Sequence, residues 1–83
     1  MNYSELWGIP FSRISEYFSA QNDVETISDR AFRYKDADIE LEKLPDKHLG
    51  SMIIAQTRVN ITGGAEADDI HKRFYMRFLS AGG

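Results

Sequence analysis

Cysteine is missing from all 83 residues. That absence excludes disulfides, iron–sulfur clusters and thiolate zinc sites, each of which needs a cysteine sulfur. Histidine is nearly as scarce. His48 and His71 stand far apart, so no metal site is expected, and the chain implies no cofactor. Positive charge is in deficit, with 10 Lys and Arg against 13 Asp and Glu, a net charge of −3 and a pI near 5.2. Nucleic-acid binding draws on clustered basic side chains that release counterions, and attachment to anionic lipid draws on the same. Neither nucleic acid nor membrane is therefore an expected partner. No apolar run approaches the roughly 20 residues of a membrane span. The opening Met1-Asn2-Tyr3-Ser4-Glu5 lacks the basic and apolar regions of a signal peptide, which sets a cytoplasmic address as the expectation.

What is present is ordinary for a globular chain, with 42% apolar and 28% charged residues. Aromatics make up 12%, and their large burial areas allow a real core at this length. The length suits one small domain, 1–83, that buries only about 60–65% of its unfolded surface. A chain this small commonly gains stability from disulfides, metals or partners. With the first two excluded, self-association is the remaining route. Charge is unevenly spread. Residues 23–46 carry eight acids against four bases, and residues 47–83 carry five bases against three acids.

The first periodic segment is Phe11, Ile14 and Phe18, spaced as one face of a helix. Pro10 suits a helix start and Ser12 is a candidate N-cap. Residues 23–31 read either as a short helix carrying Val24, Ile27 and Ala31 or as a lead into a strand. Residues 36–42 alternate strictly. As a strand, Ala37, Ile39 and Leu41 face inward while Asp36, Asp38, Glu40 and Glu42 face out. Phe32 and Tyr34 have the opposite parity, which a bulge or bend near Lys35 would reconcile. Residues 44–50 read as a connecting loop punctuated by Pro45 and Gly50. Alternation resumes over 52–62, with Ile53, Ala55, Thr57, Val59 and Ile61 on one face. The two runs suggest an antiparallel hairpin. The segment 70–79 supports two readings. As a helix it gathers Ala67, Ile70, His71, Phe74, Tyr75, Phe78 and Leu79 on one face. As a strand it would complete a meander, and its Arg-Phe-Tyr-Met-Arg-Phe composition has high β-propensity. The expected fold is thus α+β: an N-terminal helix packed on a small antiparallel sheet of two or three strands, the C-terminal segment strand or helix.

Four features bear on function. The row Asp36, Asp38, Glu40 and Glu42 reads as a docking strip for a basic partner, or as a solvated face paired with Arg58, Arg73 and Arg77. Its side chains repeat at roughly 7 Å along a strand, too far apart for a compact cation cage. The basic cluster His71, Lys72, Arg73 and Arg77 reads as an anion patch or as counter-charge to that row. Tyr3 and Trp7 lie outside the helical face and, if exposed, form an interface anchor and a dimer seam. The terminal Gly82-Gly83 resembles the end of ubiquitin-like sulfur carriers. Such a resemblance implies C-terminal adenylation and thiocarboxylate formation. It rests on two residues, and those carriers open with a strand hairpin rather than a helix. The plainer reading is a chain end or helix stop.

No nucleophile–base constellation is apparent. The expected function is a non-enzymatic protein-binding or regulatory module that self-associates as a homodimer, with a structural subunit of a larger assembly, such as a phage particle, as the alternative.

Overall fold

The computed structural model describes residues 2–82, with side chains described through residue 79. Its elements are β1 (Tyr3–Trp7), α1 (Phe11–Ser19), β2 (Glu25–Thr26), β3 (Ala31–Tyr34), β4 (Ala37–Leu49), β5 (Met52–Thr62) and α2 (Ala65–Gly82). The strands form one antiparallel sheet in the order β1-β5-β4-β3-β2. β1 and β2 thus lie at opposite edges, and α1 carries the chain from one edge to the other.

The expected sheet of two or three strands is contradicted: there are five among the described residues. β1 was hidden because Tyr3, Glu5 and Trp7 alternate with Ser4 and Leu6 as a half-buried edge strand, but the inward set includes a carboxylate. The segment 65–82 is a helix, so the strand meander ending in 70–79 is also overturned. Ala67, Ile70, Phe74 and Phe78 fall at helical spacing and are all buried, and that burial outweighs local β-propensity. Residues 23–31 form no helix. Ile27 N–H instead donates to Ala31 O at 2.9 Å, closing a turn between β2 and β3.

The parity change near Lys35 comes from a turn, not a bulge. Tyr34 pairs with Ala37 across Lys35-Asp36, and Lys35 has a left-handed φ of 54°. A two-residue turn reverses the strand, so Phe32 and Tyr34 share the inward face with Ala37 and Ile39. Asp36 therefore belongs to the turn and leaves the acidic row. The helix α1 begins at Phe11 with Pro10 in the capping position and no side-chain cap, so Ser12 lies inside its first turn.

Both helices cover one face of the sheet. The core joins Ile14 and Phe18 of α1, Phe32 and Tyr34 of β3, Ala37, Ile39 and Leu41 of β4, Val59 and Ile61 of β5, and Ala67, Ile70, Phe74 and Phe78 of α2. Its centre is aromatic. Phe18 lies between Phe74, ring centroids 5.4 Å apart, and Phe32 at 5.6 Å. Buried Thr57 donates its hydroxyl to Ile9 O at 2.7 Å, leaving no orphan polar group at this point.

Candidate interaction surface

Antiparallel partners project from the same face, so the register sorts side chains without further assumption. The face away from the helices carries Ser4, Leu6, Arg58, Asn60, Glu42, Glu40, Asp38 and Arg33. The acidic row thus survives as Asp38, Glu40 and Glu42. It is flanked on its own face: Arg33 meets Asp38 at 2.9 Å and Arg58 lies 3.9 Å from Glu42. Both pairs are about half exposed and contribute little stability. Glu40 sits between Ala31 and Asn60, with no cation as a cross-strand neighbour.

The basic cluster lies on the other side of the sheet, so Arg73 and Arg77 do not meet that row. Arg73 pairs with Asp23 at 2.9 Å and stands over the Tyr34 ring, 5.2 Å from its centroid. Its hydrogen bond holds the Asp23 carboxyl below the usual carboxylate value and raises Arg73 in turn. Arg77 lies over the Phe78 ring at 5.6 Å and joins Arg13, Tyr17 and Gln21 around an open groove of about 470 Å³. Burial pushes the Tyr17 hydroxyl up, opposed by the charges of Arg73 and Arg77.

Tyr3 and Trp7 are part-buried braces between β1 and α2, not an exposed anchor. The Tyr3 ring stacks on His71 at 3.7 Å and its hydroxyl donates to Asp68 at 2.7 Å. That hydrogen bond raises the Tyr3 pKa above its ordinary value. Trp7 Nε1 donates to Glu5 at 3.2 Å, and its ring meets Phe74 and Tyr75 edge-on. His71 Nε2 lies 3.0 Å from the same Glu5 oxygen. His48 is elsewhere, opposite Ile53. Among the described residues no three His, Asp or Glu side chains converge as a metal site. No helix among them is long and apolar enough to cross a membrane. Gly83, half of the terminal pair, lies outside the described residues, and Gly82 is the last residue of α2.

The surface that sequence reasoning missed is the far half of the β4–β5 hairpin. Residues 44–50 are not a loop. β4 runs on through them, with one bulge between Leu44 and Lys47, and turns only at Gly50-Ser51. Gly50 has φ 62°, which a two-residue hairpin turn requires and glycine adopts without strain. β3 leaves β4 at Glu40 and β1 leaves β5 at Thr57. Beyond those points no further strand pairs with either of them among the described residues; Arg30 O still accepts from Leu41 N–H at 2.8 Å and Gly8 lies against Ile54, and from there the hairpin projects as an arm. Thirteen residues at about 3.3 Å each span roughly the whole 42 Å long axis of the molecule.

The tip of the arm carries exposed apolar side chains. Leu49 is 51% exposed, Met52 61% and Ile53 64%. By register Leu44, Ile54, Leu49 and Met52 share the open face, and Ile53 and His48 the other. The available signal was Met52-Ile53-Ile54-Ala55, four consecutive apolar residues. A strand with one wet face would alternate, so such a run marks a segment apolar on both sides.

Compared with known proteins, the chain matches no family model and no curated protein.

Proposed function

We propose that this chain is a non-enzymatic, cytoplasmic protein-binding module whose contact surface is the β4–β5 arm. The observation that carries the reading is the exposure of Leu49, Met52 and Ile53 at the tip of a hairpin that no helix or strand covers. An isolated two-stranded ribbon is marginal in water, and its free edges accept another strand. Large apolar side chains held there gain burial only from a partner. The acidic row is half-neutralised by Arg33 and Arg58, which leaves it a weaker docking strip than the arm.

Site-specific photo-crosslinking tests this. A photoreactive residue at position 53 should give crosslinked protein products in the native host and in purified material. The same group at positions 40 and 72 should give few. Equal yields at all three positions would remove the arm's special status.

A further inference from the structure

We infer that the open groove between α1 and α2 binds a small organic monoanion, one carboxylate carried on a flat apolar body. The site shares no residue with the arm, so the two readings stand or fall separately.

The groove follows from the spacing along α1. Arg13, Glu16, Tyr17, Ala20 and Gln21 fall at i, i+3, i+4, i+7 and i+8, a stripe that runs on past Ser19 and flanks the buried Ile14 and Phe18. Arg77 and Phe78 of α2 form the other wall. The space between them is about 470 Å³, within the range of small-molecule sites.

Its apolar surface is aromatic. Phe78 is buried, and the half-buried Tyr17 ring meets it edge-on with centroids 5.3 Å apart. A flat apolar body gains contact on such rings.

Its polar groups are donors in excess. Of the six arginines, Arg33, Arg58 and Arg73 pair with Asp38, Glu42 and Asp23. Arg13, Arg30 and Arg77 pair with no carboxylate among the described residues, and two of these three line this one groove. The Arg77 guanidinium stands 5.6 Å from the Phe78 centroid. Beside it, the Tyr17 hydroxyl has no hydrogen-bond partner among the described residues. Burial raises the pKa of that hydroxyl, and the charges of Arg73 and Arg77 oppose the rise, so positive charge reaches it. Gln21 is engaged elsewhere, donating Nε2 to Tyr17 O at 3.2 Å.

These donors select the anion. A guanidinium fork matches a carboxylate with two parallel hydrogen bonds. Two guanidiniums against the one carboxylate of Glu16 leave a balance of one positive charge. A monoanion neutralises that balance, whereas a dianion overshoots it and meets Glu16.

Naphthoate is a suitable probe, with naphthalenemethanol as its uncharged twin and naphthyl phosphate as the dianion. In proton–nitrogen correlation spectra of the full chain, naphthoate should shift the amides of Tyr17, Ala20, Gln21 and Phe78 saturably, with a Kd on the order of a millimolar. The alcohol should bind about tenfold more weakly, and the phosphate no tighter than the carboxylate. Arg77→Gln should weaken naphthoate about tenfold, and Arg13→Gln combined with it about a hundredfold. Both side chains are exposed, so circular dichroism of the variants should match the parent. Arg30 lines a different groove, with Leu41 and Glu42, and Arg30→Gln should bind as the parent does. Equal affinity for the alcohol would reduce the groove to apolar contact and overturn the proposal. Tighter binding of the phosphate would do the same, as would equal losses from Arg30→Gln and Arg77→Gln. Shifts that map to Met52 and Ile53 instead, or no saturable shift at all, also overturn it.

Discussion

β4 and β5 pair from end to end, yet their two halves are different materials. At the base, Ile39, Leu41, Val59 and Ile61 are buried beneath the aromatic cluster of Phe18, Phe32 and Phe74. In the arm, Leu49, Met52 and Ile53 are as apolar and lie more than half exposed. The ladder of backbone hydrogen bonds is common to both halves, so the ladder is not what sets them apart. Burial is: about 25 cal/mol accrues per Å² of apolar surface removed from water, and the base collects far more of it than the arm tip. The base therefore carries most of the stability of the fold, and the arm is the contact surface proposed above.

Core truncation should separate the halves most strongly. Phe74→Ala removes the ring on which Phe18, Phe78 and Trp7 pack and should cost about 3–5 kcal/mol. A chain of this size holds only about 4–12 kcal/mol in total, so urea titration should find the variant at or near the unfolding threshold. Ile53→Ala in the arm should move stability in dilute solution by less than about 0.5 kcal/mol. Comparable losses from the two changes would erase the distinction.

Two glycines sharpen it next. Gly63 has φ 144°, and a side chain there would meet the Ala37 Cα at 3.1 Å. Gly50 has φ 62° with nothing within 4 Å. Both positions strain an L-residue, but only the base adds a collision with backbone. Gly63→Ala should cost roughly 2–3 kcal/mol and Gly50→Ala about 1 kcal/mol. Thermal unfolding ranks them, and the reverse order would mean the arm tip is the more constrained.

A smaller folding effect comes with a large associative one. Leu49→Lys combined with Met52→Lys should leave the urea midpoint of dilute protein within about 0.5 kcal/mol of the parent while removing the crosslinked products formed from position 53. Retained crosslinking would move the contact elsewhere.

The smallest effect concerns the exposed Asp23–Arg73 pair. The folded state lowers the Asp23 pKa, so its contribution is present above the unfolded carboxylate value and is lost as pH falls through the folded one. Asp23→Asn should flatten the stability profile below about pH 4 and leave neutral pH almost unchanged, because the pair is solvent-screened. A variant whose acid limb overlays the parent's would assign that limb to other carboxylates.

Local pattern carried part of this architecture. Alternation at Ala37, Ile39 and Leu41 and at Thr57, Val59 and Ile61 marks strands because one face is dry and the other wet. Phe11, Ile14 and Phe18 mark a helix for the same reason at another period. The rest failed where burial on one face did not hold. β1 turns Glu5 inward to meet Trp7 and His71, so its alternation is not one of hydrophobicity. Pro45 and Gly50 read as loop punctuation, yet a bulge absorbs the proline and the hairpin turn uses the glycine. The segment Arg73–Phe78 has strand-like composition, but Phe74 and Phe78 lie one helical turn apart over the core. In the candidate site, Tyr3, Trp7, Arg73 and Arg77 were legible as residues worth weighing. Their role as braces depends on which face α2 covers, and that is a long-range property.

The most direct measurement is hydrogen exchange at the backbone amides of Met52–Gln56 in dilute protein. The account predicts rapid exchange there, while base amides such as those of Ile39 and Val59 stay slow throughout. Arm amides as protected as those of the base would contradict it.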